Sequence, residues 1–302
     1  MVKGGSALNS LRLTTGERLF NILNLALLAL LGICTLYPFL YELSISLSPP
    51  EEAVQSGWHL FPDHPTLQAY AQILKRSEIH TAYLITIART VAGTALALVL
   101  TSMVAYPLSR KTFPHRKMLL FLLIFSMMFG GGLIPSYLLK KELGLIDNFL
   151  VYIVPGAVSA FNVIIMRNFF QSIPEELVES IKMDGANERI VLTRLILPLS
   201  LPVLAVVGLW TAVEQWNAWF DSLIYTNKPN LQVLQLFLRQ VVITETSSFL
   251  GDVSREANAQ RAMTPESMKA ATVMIISMPI VIVYPFIQRF FVKGIMLGSV
   301  KG

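Results

Sequence analysis

Residues 172–198 read SIPEELVESIKMDGANERIVLTRLILP, and this stretch predicts a helix, a sharp turn and a second helix. Ser172 is followed by Glu175 at the spacing of a capping box, which predicts that the first helix begins here. Gly185 adopts left-handed backbone conformations without steric cost, so the helix is expected to end at this residue. Asn187 is then placed to cap the amino end of the second helix.

The first of these helices is predicted to be amphipathic and to protrude from a surface. Leu177, Val178 and Ile181 fall on one face at the spacing of helical neighbours. Crossing a lipid bilayer does not require such a structure, whereas a protruding helix and turn offer a surface that a partner protein can bind. We call residues 172–198 the knuckle.

On both sides of the knuckle the sequence has the composition of a membrane protein. Of the 302 residues, 54% are hydrophobic and 14% are charged, whereas an ordinary soluble domain has about 25% charged residues. The mean hydropathy is +0.58, and a soluble chain of this size could not bury that much apolar surface in a single core. Six apolar stretches approach the roughly 20 residues that a helix needs to cross the hydrocarbon layer. They are 20–41, 82–108, 118–139, 149–166, 199–225 and 270–291.

The charges between these stretches predict their orientation. The connection 109–117 has four basic residues and no acid, whereas the segment between the first two stretches is mainly acidic. By the positive-inside bias the basic connection lies in the cytoplasm and the acidic segment lies outside. The knuckle and both chain termini are then cytoplasmic. The net charge of +5 therefore reflects membrane topology and does not predict nucleic-acid binding.

The predicted architecture is an all-α integral membrane protein with six transmembrane helices. We expect a cytoplasmic tail at 1–18, a six-helix domain at 19–292 with its core at about 78–291, and a second cytoplasmic tail at 293–302. The first apolar run is longer than the roughly 7–15 residues of a signal-peptide core, so we expect it to be retained as an anchor. The lone Cys34 and four scattered histidines have no metal-ligand spacing, so neither a disulfide framework nor a metal site is predicted.

The knuckle resembles the EAA loop of permease subunits of ATP-binding-cassette importers. The matching pattern is Glu179-Ser-Ile, three residues, Gly185, nine residues, then Leu195-x-Leu-Pro198. Serine and isoleucine stand where the family pattern has two alanines, and leucine stands where it has isoleucine. These changes keep the size or the apolar character of each position.

Three other segments narrow the resemblance. They are FGGGLIPSYLL at 129–139, QWNAWF at 215–220 and the tail RFFVKGIMLGSVKG at 289–302. Each is similar to carbohydrate importers of the maltose-permease type, especially the subgroup that handles complex oligosaccharides. The likeness extends over residues 18–302 and implies a type I permease fold in the bacterial cytoplasmic membrane.

The resemblance also implies partners and their cofactors. A second homologous permease subunit, two copies of an ATPase and an extracytoplasmic solute-binding protein are expected, with a carbohydrate as substrate. ATP and Mg are expected on the ATPases, since this chain lacks the G-x-x-x-x-G-K-[ST] loop and is itself non-catalytic. The residues implied in ATPase coupling lie in the knuckle. They are Glu175, Glu176, Glu179, Ser180, Asp184, Gly185 and Ala186.

The fifth apolar stretch contains the candidate substrate pathway. Four of its residues recur at i, i+4, i+7 and i+11, which predicts one helical face; they are Trp210, Glu214, Asn217 and Asp221. A lone charge near the middle of a span costs at least about 2.5 kcal/mol, so Glu214 is expected to face water, protein or a partner. The alternative role for this face is interhelical hydrogen bonding to the sister permease. Trp216 and Trp219 either stack on sugar rings or belong to an interfacial aromatic belt.

Two further features have more than one interpretation. Arg89, inside the second stretch, either extends outward to the interface or pairs with an acid. Gly130, Gly131 and Gly132 interrupt the third stretch, where they allow close helix approach or mark an irregular segment. Other functional classes are an ATP-independent secondary transporter or channel, which leaves the knuckle unexplained, and an intramembrane enzyme, which needs paired catalytic groups at similar depth.

Overall fold

We describe a computed structural model of the chain over residues 14–53, 61–243 and 264–298. Within these ranges the structure is helical and contains no strand. The helices are α1 (Thr15–Leu47), α2 (Pro50–Ala53), α3 (Gln68–Leu74), α4 (Ser77–Ser109), α5 (Arg116–Met128), α6 (Leu133–Glu142), α7 (Ala160–Gln171), α8 (Glu175–Met183), α9 (Glu188–Ile190), α10 (Leu197–Leu199), α11 (Leu201–Asn217), α12 (Phe220–Tyr225), α13 (Leu234–Ile243) and α14 (Pro265–Gly298). Short 3₁₀ helices occupy Phe149–Tyr152 and Pro229–Leu231, and a π-helical segment, Val191–Ile196, joins α9 to α10. The predicted tails at 1–18 and 293–302 lie partly outside the described residues.

Three described helices are long and apolar enough to cross a membrane without a break. They are α1, α4 and the part of α14 at Glu266–Val283. Two bent pairs satisfy the same test, α5 with α6 at an angle of 114° and the helical segment Glu188–Leu199 with α11 at 81°. The described residues therefore contain three unbroken spans, or up to five if each bent pair is one span.

The third predicted stretch, 118–139, is not one straight helix. The chain leaves α5 at Phe129 and enters α6 after Gly132, whose φ of +84° is a conformation that glycine adopts readily. A Cβ placed on Gly130 has no atom within 4 Å among the described residues. These glycines therefore form the irregular segment, and no close helix contact is seen within the described chain.

The fourth predicted stretch, 149–166, is not a continuous helix either. It contains the 3₁₀ helix Phe149–Tyr152, an irregular connection with Pro155 and Gly156, and the start of α7. Proline lacks the backbone N–H that a continuing helix needs, which accounts for the break. With 12 residues, α7 is about 18 Å long, shorter than the roughly 30 Å hydrocarbon layer.

The core is built around α4, which packs against α7 and α11, while α14 packs against α1 and α11. Small residues recur along the buried face of α4 and let the neighbouring backbones approach closely. They are Ala82, Thr86, Gly93, Ala97, Thr101 and Ala105. Gly93 leaves room for Gln215 of α11, because a Cβ at this glycine would lie 2.9 Å from Nε2 of that glutamine.

The loop after α6 is tied to the loop after α12 by Asp147. Its Oδ1 atom accepts hydrogen bonds from the backbone N–H groups of Asn227 at 2.5 Å and Lys228 at 3.2 Å. These bonds, that of Asn227 first, hold the pKa of the Asp147 carboxyl below its usual range. The tie joins the two ends of a segment that contains α7, α11 and the knuckle.

Candidate functional site

The knuckle forms the predicted helix and turn, but the helix begins differently. α8 starts directly after Pro174, which makes no side-chain cap. Ser172 ends α7 and its hydroxyl donates to the Phe169 carbonyl at 2.7 Å. The predicted capping box is therefore wrong, because Ser172 caps the carboxyl end of the preceding helix instead.

The turn at the end of α8 is confirmed in detail. Gly185 has φ +85°, and its N–H donates to the Lys182 carbonyl at 3.0 Å. The N–H of Ala186 donates to the Ile181 carbonyl at 3.2 Å, which completes a Schellman motif. As predicted, Asn187 caps the next helix by accepting from the Ile190 N–H at 3.0 Å.

The exposed side of α8 is acidic. Val178 is 3% exposed and packs into the permease core, whereas Glu175, Glu176 and Glu179 face outward. Ser180 and Asp184 are also exposed. The amphipathic helix is thus anchored by its apolar side and offers carboxylates to a partner, but its role in ATPase coupling stays a prediction.

A carboxylate that sequence reasoning missed links the knuckle to α4. The Tyr106 hydroxyl donates to Oε2 of Glu188, and the Lys182 ammonium contacts Oε1 of the same residue at 2.5 Å. The Arg110 guanidinium lies 4.8 Å from the centre of the Tyr106 ring. No sequence signal marks this contact, because Tyr106 and Glu188 are separated by 82 residues.

An open cavity of about 650 Å³ lies between α4, α11 and α14. Four of the six predicted pathway residues line it, namely Trp210, Glu214, Trp216 and Asn217. The other lining residues are mostly apolar, and those on α4 are Ile87, Thr90 and Val91. The structure therefore brings most of the predicted face to one cavity, while its role in transport stays a prediction.

Three polar groups at this cavity have no hydrogen-bond partner within the described ranges. The Glu214 side chain is exposed and makes no hydrogen bond within the described ranges. Trp216 is buried against Tyr83, with ring centroids 6.5 Å apart, yet its indole N–H has no partner in this part of the chain. The Thr90 hydroxyl is also without one there. A carboxylate, an indole N–H and a hydroxyl are groups that bind sugar hydroxyls.

Asp221 and Trp219 do not line the cavity. α11 ends at Asn217 because Ala218 is extended, with φ −72° and ψ 128°. The prediction that one helical face extends to Asp221 is therefore wrong, since the periodicity stops at this break. Trp219 packs under the Arg239 guanidinium, 3.7 Å from the ring centre.

Asp221 instead pairs with Arg89, as one of the two interpretations of that arginine predicted. The guanidinium donates to the Asp221 carboxylate at 2.5 and 3.1 Å, to Oε1 of Gln215 at 3.1 and 3.2 Å, and to the Ala218 carbonyl at 3.3 Å. The Tyr152 ring lies 4.5 Å from the guanidinium carbon. All donors of a buried cation are thereby satisfied, and the break after α11 is fixed to α4.

Among the described residues, no group of three or more histidine, cysteine, aspartate or glutamate side chains could hold a metal ion. A helical membrane chain with an exposed helix and turn, and with a mostly apolar cavity between its long helices that contains a few polar groups, has the features of a membrane transport subunit.

Comparison with known families defines this class further. The chain belongs to the family described as binding-protein-dependent transport system inner membrane component, which matches residues 85–297. It is similar to the polygalacturonan/rhamnogalacturonan transport system permease protein YtcP of Bacillus subtilis (strain 168), with 39% identity over 95% of this chain and 99% of that protein. It is also similar to protein LplC of the same organism, with 41% identity over 96% of this chain and 97% of that protein.

A solved structure has the same fold. It is the crystal structure of a bacterial ABC transporter involved in the import of the acidic polysaccharide alginate, and one of its chains matches with a TM-score of 0.86. The two chains are 31% identical, and the match covers 92% of this chain and 99% of that one. The resemblance inferred from the knuckle is thus confirmed, and the fold is that of a type I importer permease.

Proposed function

We propose that this chain is one permease subunit of an ATP-driven importer of oligosaccharides derived from complex polysaccharides. The observation that carries the proposal is the knuckle, an exposed acidic helix ended by a Schellman motif, in a chain of this transport family. The polysaccharides named for YtcP and for the alginate importer support the substrate class.

The pore is formed with a second, homologous permease, and this chain supplies half of it. Two ATPases bind ATP and Mg in the cytoplasm, and each contacts the knuckle of one permease. A solute-binding protein delivers the sugar from outside. The chain itself is a non-catalytic membrane subunit. Closure of the ATPases displaces the knuckle and thereby changes the side of the membrane to which the cavity opens.

The proposed topology has six spans in the bacterial cytoplasmic membrane, with both termini in the cytoplasm. Three unbroken spans and two bent pairs account for five. The 3₁₀ helix Phe149–Tyr152 together with α7 forms the sixth, as a broken span. Irregular backbone at membrane depth is tolerated where it is buried in protein, and Val151 and Tyr152 are buried.

The sugar is bound weakly along the cavity of α11. Transport requires a site that offers hydrogen-bond partners but releases its cargo. The mostly apolar lining with a few polar groups suits this need, since Trp216 and Asn217 bind hydroxyls and Trp210 offers a ring face. Glu214 adds an acceptor whose negative charge favours neutral over acidic sugars at this point of the path.

The test is uptake of labelled oligosaccharides into proteoliposomes that contain both permeases, the ATPases and the solute-binding protein. We expect uptake to require ATP on the side of the membrane where the ATPases lie. Uptake should persist when ionophores abolish ion gradients. Uptake driven by an ion gradient without ATP would identify a secondary transporter and contradict the proposal.

A cross-linking experiment tests the role of the knuckle directly. With Cys34 replaced by serine, Glu179→Cys is expected to cross-link to the ATPase and not to the solute-binding protein. Val178→Cys is the matched control, because its side chain faces the permease core one residue away. Equal cross-linking of both positions, or a cross-link to the solute-binding protein, would contradict the assignment.

A further inference from the structure

Glu188 joins three helical elements through a single carboxylate. It is the first residue of α9, and it accepts from Tyr106 near the end of α4 and from Lys182 in the last turn of α8. Side-chain contacts therefore connect the knuckle to α4 directly, in addition to the covalent chain that connects it to α11.

The Tyr106 contact is the stronger of the two. Tyr106 is 6% exposed, and a phenol that donates to a carboxylate forms a charge-assisted hydrogen bond. The Arg110 cation over the Tyr106 ring adds favourable charge beside Glu188. The side chains of Lys182 and Glu188 are 43% and 60% exposed, so their ion pair is screened by solvent and contributes little.

The covalent route from α8 to the cavity is interrupted three times. After the turn at Gly185 the chain passes through the π-helical segment Val191–Ile196 and then bends by 81° before α11. Departures from regular helical hydrogen bonding are points where a helix changes direction. A displacement of α8 is therefore absorbed in part before it reaches α11.

The route through α4 has one such departure, at Pro107, which has no N–H to donate to the Met103 carbonyl. α4 is continuous from Ser77 to Ser109, and three of its residues line the cavity. Sixteen helical residues separate Tyr106 from Thr90 of the cavity wall, a rise of about 24 Å. A displacement at Tyr106 therefore reaches the cavity through a single helix, with one departure from regular hydrogen bonding against three on the covalent route.

We propose that Glu188 is a positioning residue that passes the movement of the knuckle to α4, and through α4 to the cavity, by its hydrogen bond with Tyr106. The inference rests on the proposed function, since an ATPase must move the knuckle. It assigns coupling to a residue in the unspecified interval of the EAA pattern, between Gly185 and Leu195.

The experiment compares variants of the complete importer in proteoliposomes. The readout is the number of sugar molecules transported per ATP hydrolysed, measured on complexes matched for subunit content. We expect Tyr106→Phe and Glu188→Ala each to lower this ratio about tenfold, because each removes a hydrogen bond to a charged group. The double variant is expected to be no worse than either single one, since both remove the same contact.

Tyr137→Phe is the matched control, because the Tyr137 hydroxyl makes no hydrogen bond within the described ranges. This variant should transport as many sugar molecules per ATP as the parental complex. Glu188→Gln keeps an acceptor oxygen and should therefore transport more sugar per ATP than Glu188→Ala. A parental ratio in Tyr106→Phe, or additive losses in the double variant, would overturn the relay. If the parental complex shows no ATP-dependent uptake, the proposed function fails instead.

Discussion

Arg89 of α4 and Asp221 of α12 form a bidentate ion pair, with guanidinium to carboxylate distances of 2.5 and 3.1 Å and an arginine side chain that is 2% exposed. The pair bridges 132 residues of sequence and holds the break after α11 against α4. Loss of Asp221 leaves a buried guanidinium without its charge partner, whereas loss of Arg89 leaves a carboxylate that is 24% exposed. The pair therefore determines where the cavity-lining end of α11 lies.

We predict that Arg89→Met destabilises the assembled permease by about 3 kcal/mol, the lower end of the usual cost of breaking a buried pair, because the Asp221 carboxylate left behind is 24% exposed. The double variant Arg89→Met with Asp221→Leu should recover part of this loss, because no buried charge remains. The measurement is thermal unfolding of the purified complex. Arg239→Met, at an exposed arginine, is the control; a loss as large as that of Arg89→Met would refute the special role of the pair.

Gly185→Val is expected to uncouple transport from ATP hydrolysis. The φ of +85° disfavours a β-branched residue, whereas no atom lies within 4 Å of a Cβ at this position, so backbone conformation is the only obstacle. Gly185→Asn should be much better tolerated, because asparagine adopts left-handed conformations more readily. Substrate-stimulated ATP hydrolysis in reconstituted complex is the assay; full stimulation in a well-assembled Gly185→Val variant would reject the coupling role of the turn.

Glu214 is expected to act in the pathway. Glu214→Leu removes both charge and hydrogen bonding and should lower uptake without loss of the heterodimer, while Glu214→Gln should raise uptake of acidic relative to neutral oligosaccharides. Reduced recovery of the heterodimer in Glu214→Leu would indicate interhelical hydrogen bonding instead. Uptake at the parental rate by both variants, for every sugar tested, would exclude both roles.

The hydrogen bonds by which Asp147 joins two loops are expected to be sensitive to acid. The folded pKa of Asp147 lies below its unfolded value, so its stabilising effect is present above about pH 4 and is lost as the pH falls through the folded pKa. Asp147 has φ +54°, a left-handed conformation that asparagine also adopts, so Asp147→Asn keeps the backbone but lacks the charge. The unfolding midpoint of the parent should therefore exceed that of the variant at pH 6, and the difference should shrink toward pH 3. A difference that is independent of pH would contradict this.

The sequence was sufficient for the parts of the molecule that local rules determine. The turn at Gly185 and the cap at Asn187 follow from backbone preferences within a few residues, and both are confirmed. The cavity residues from Trp210 to Asn217 follow from helical periodicity over two turns. The periodicity failed at Ala218, because tertiary hydrogen bonds from Arg89 stabilise an extended residue that hydropathy does not signal.

Other features depend on contacts between residues distant in sequence. The Tyr106 contact with Glu188 joins polar residues that each have an ordinary local interpretation, so only the tertiary structure brings them together. The broken third and fourth stretches show the same limit in another form. Hydropathy averages over about 20 residues and does not distinguish a straight span from one interrupted by Gly132 or Pro155.

α4 is longer than the hydrocarbon layer is thick. Its 33 residues span about 50 Å, against about 30 Å of hydrocarbon, so its ends extend beyond the lipid or the helix is tilted. Arg89 lies about 25 Å from Tyr106 and about 18 Å from Ser77 along the axis. Ile87, Thr90 and Val91 of the cavity wall lie within one helical turn of Arg89. One helix therefore carries the cavity wall, the Arg89 ion pair and, at its other end, the Tyr106 contact with Glu188.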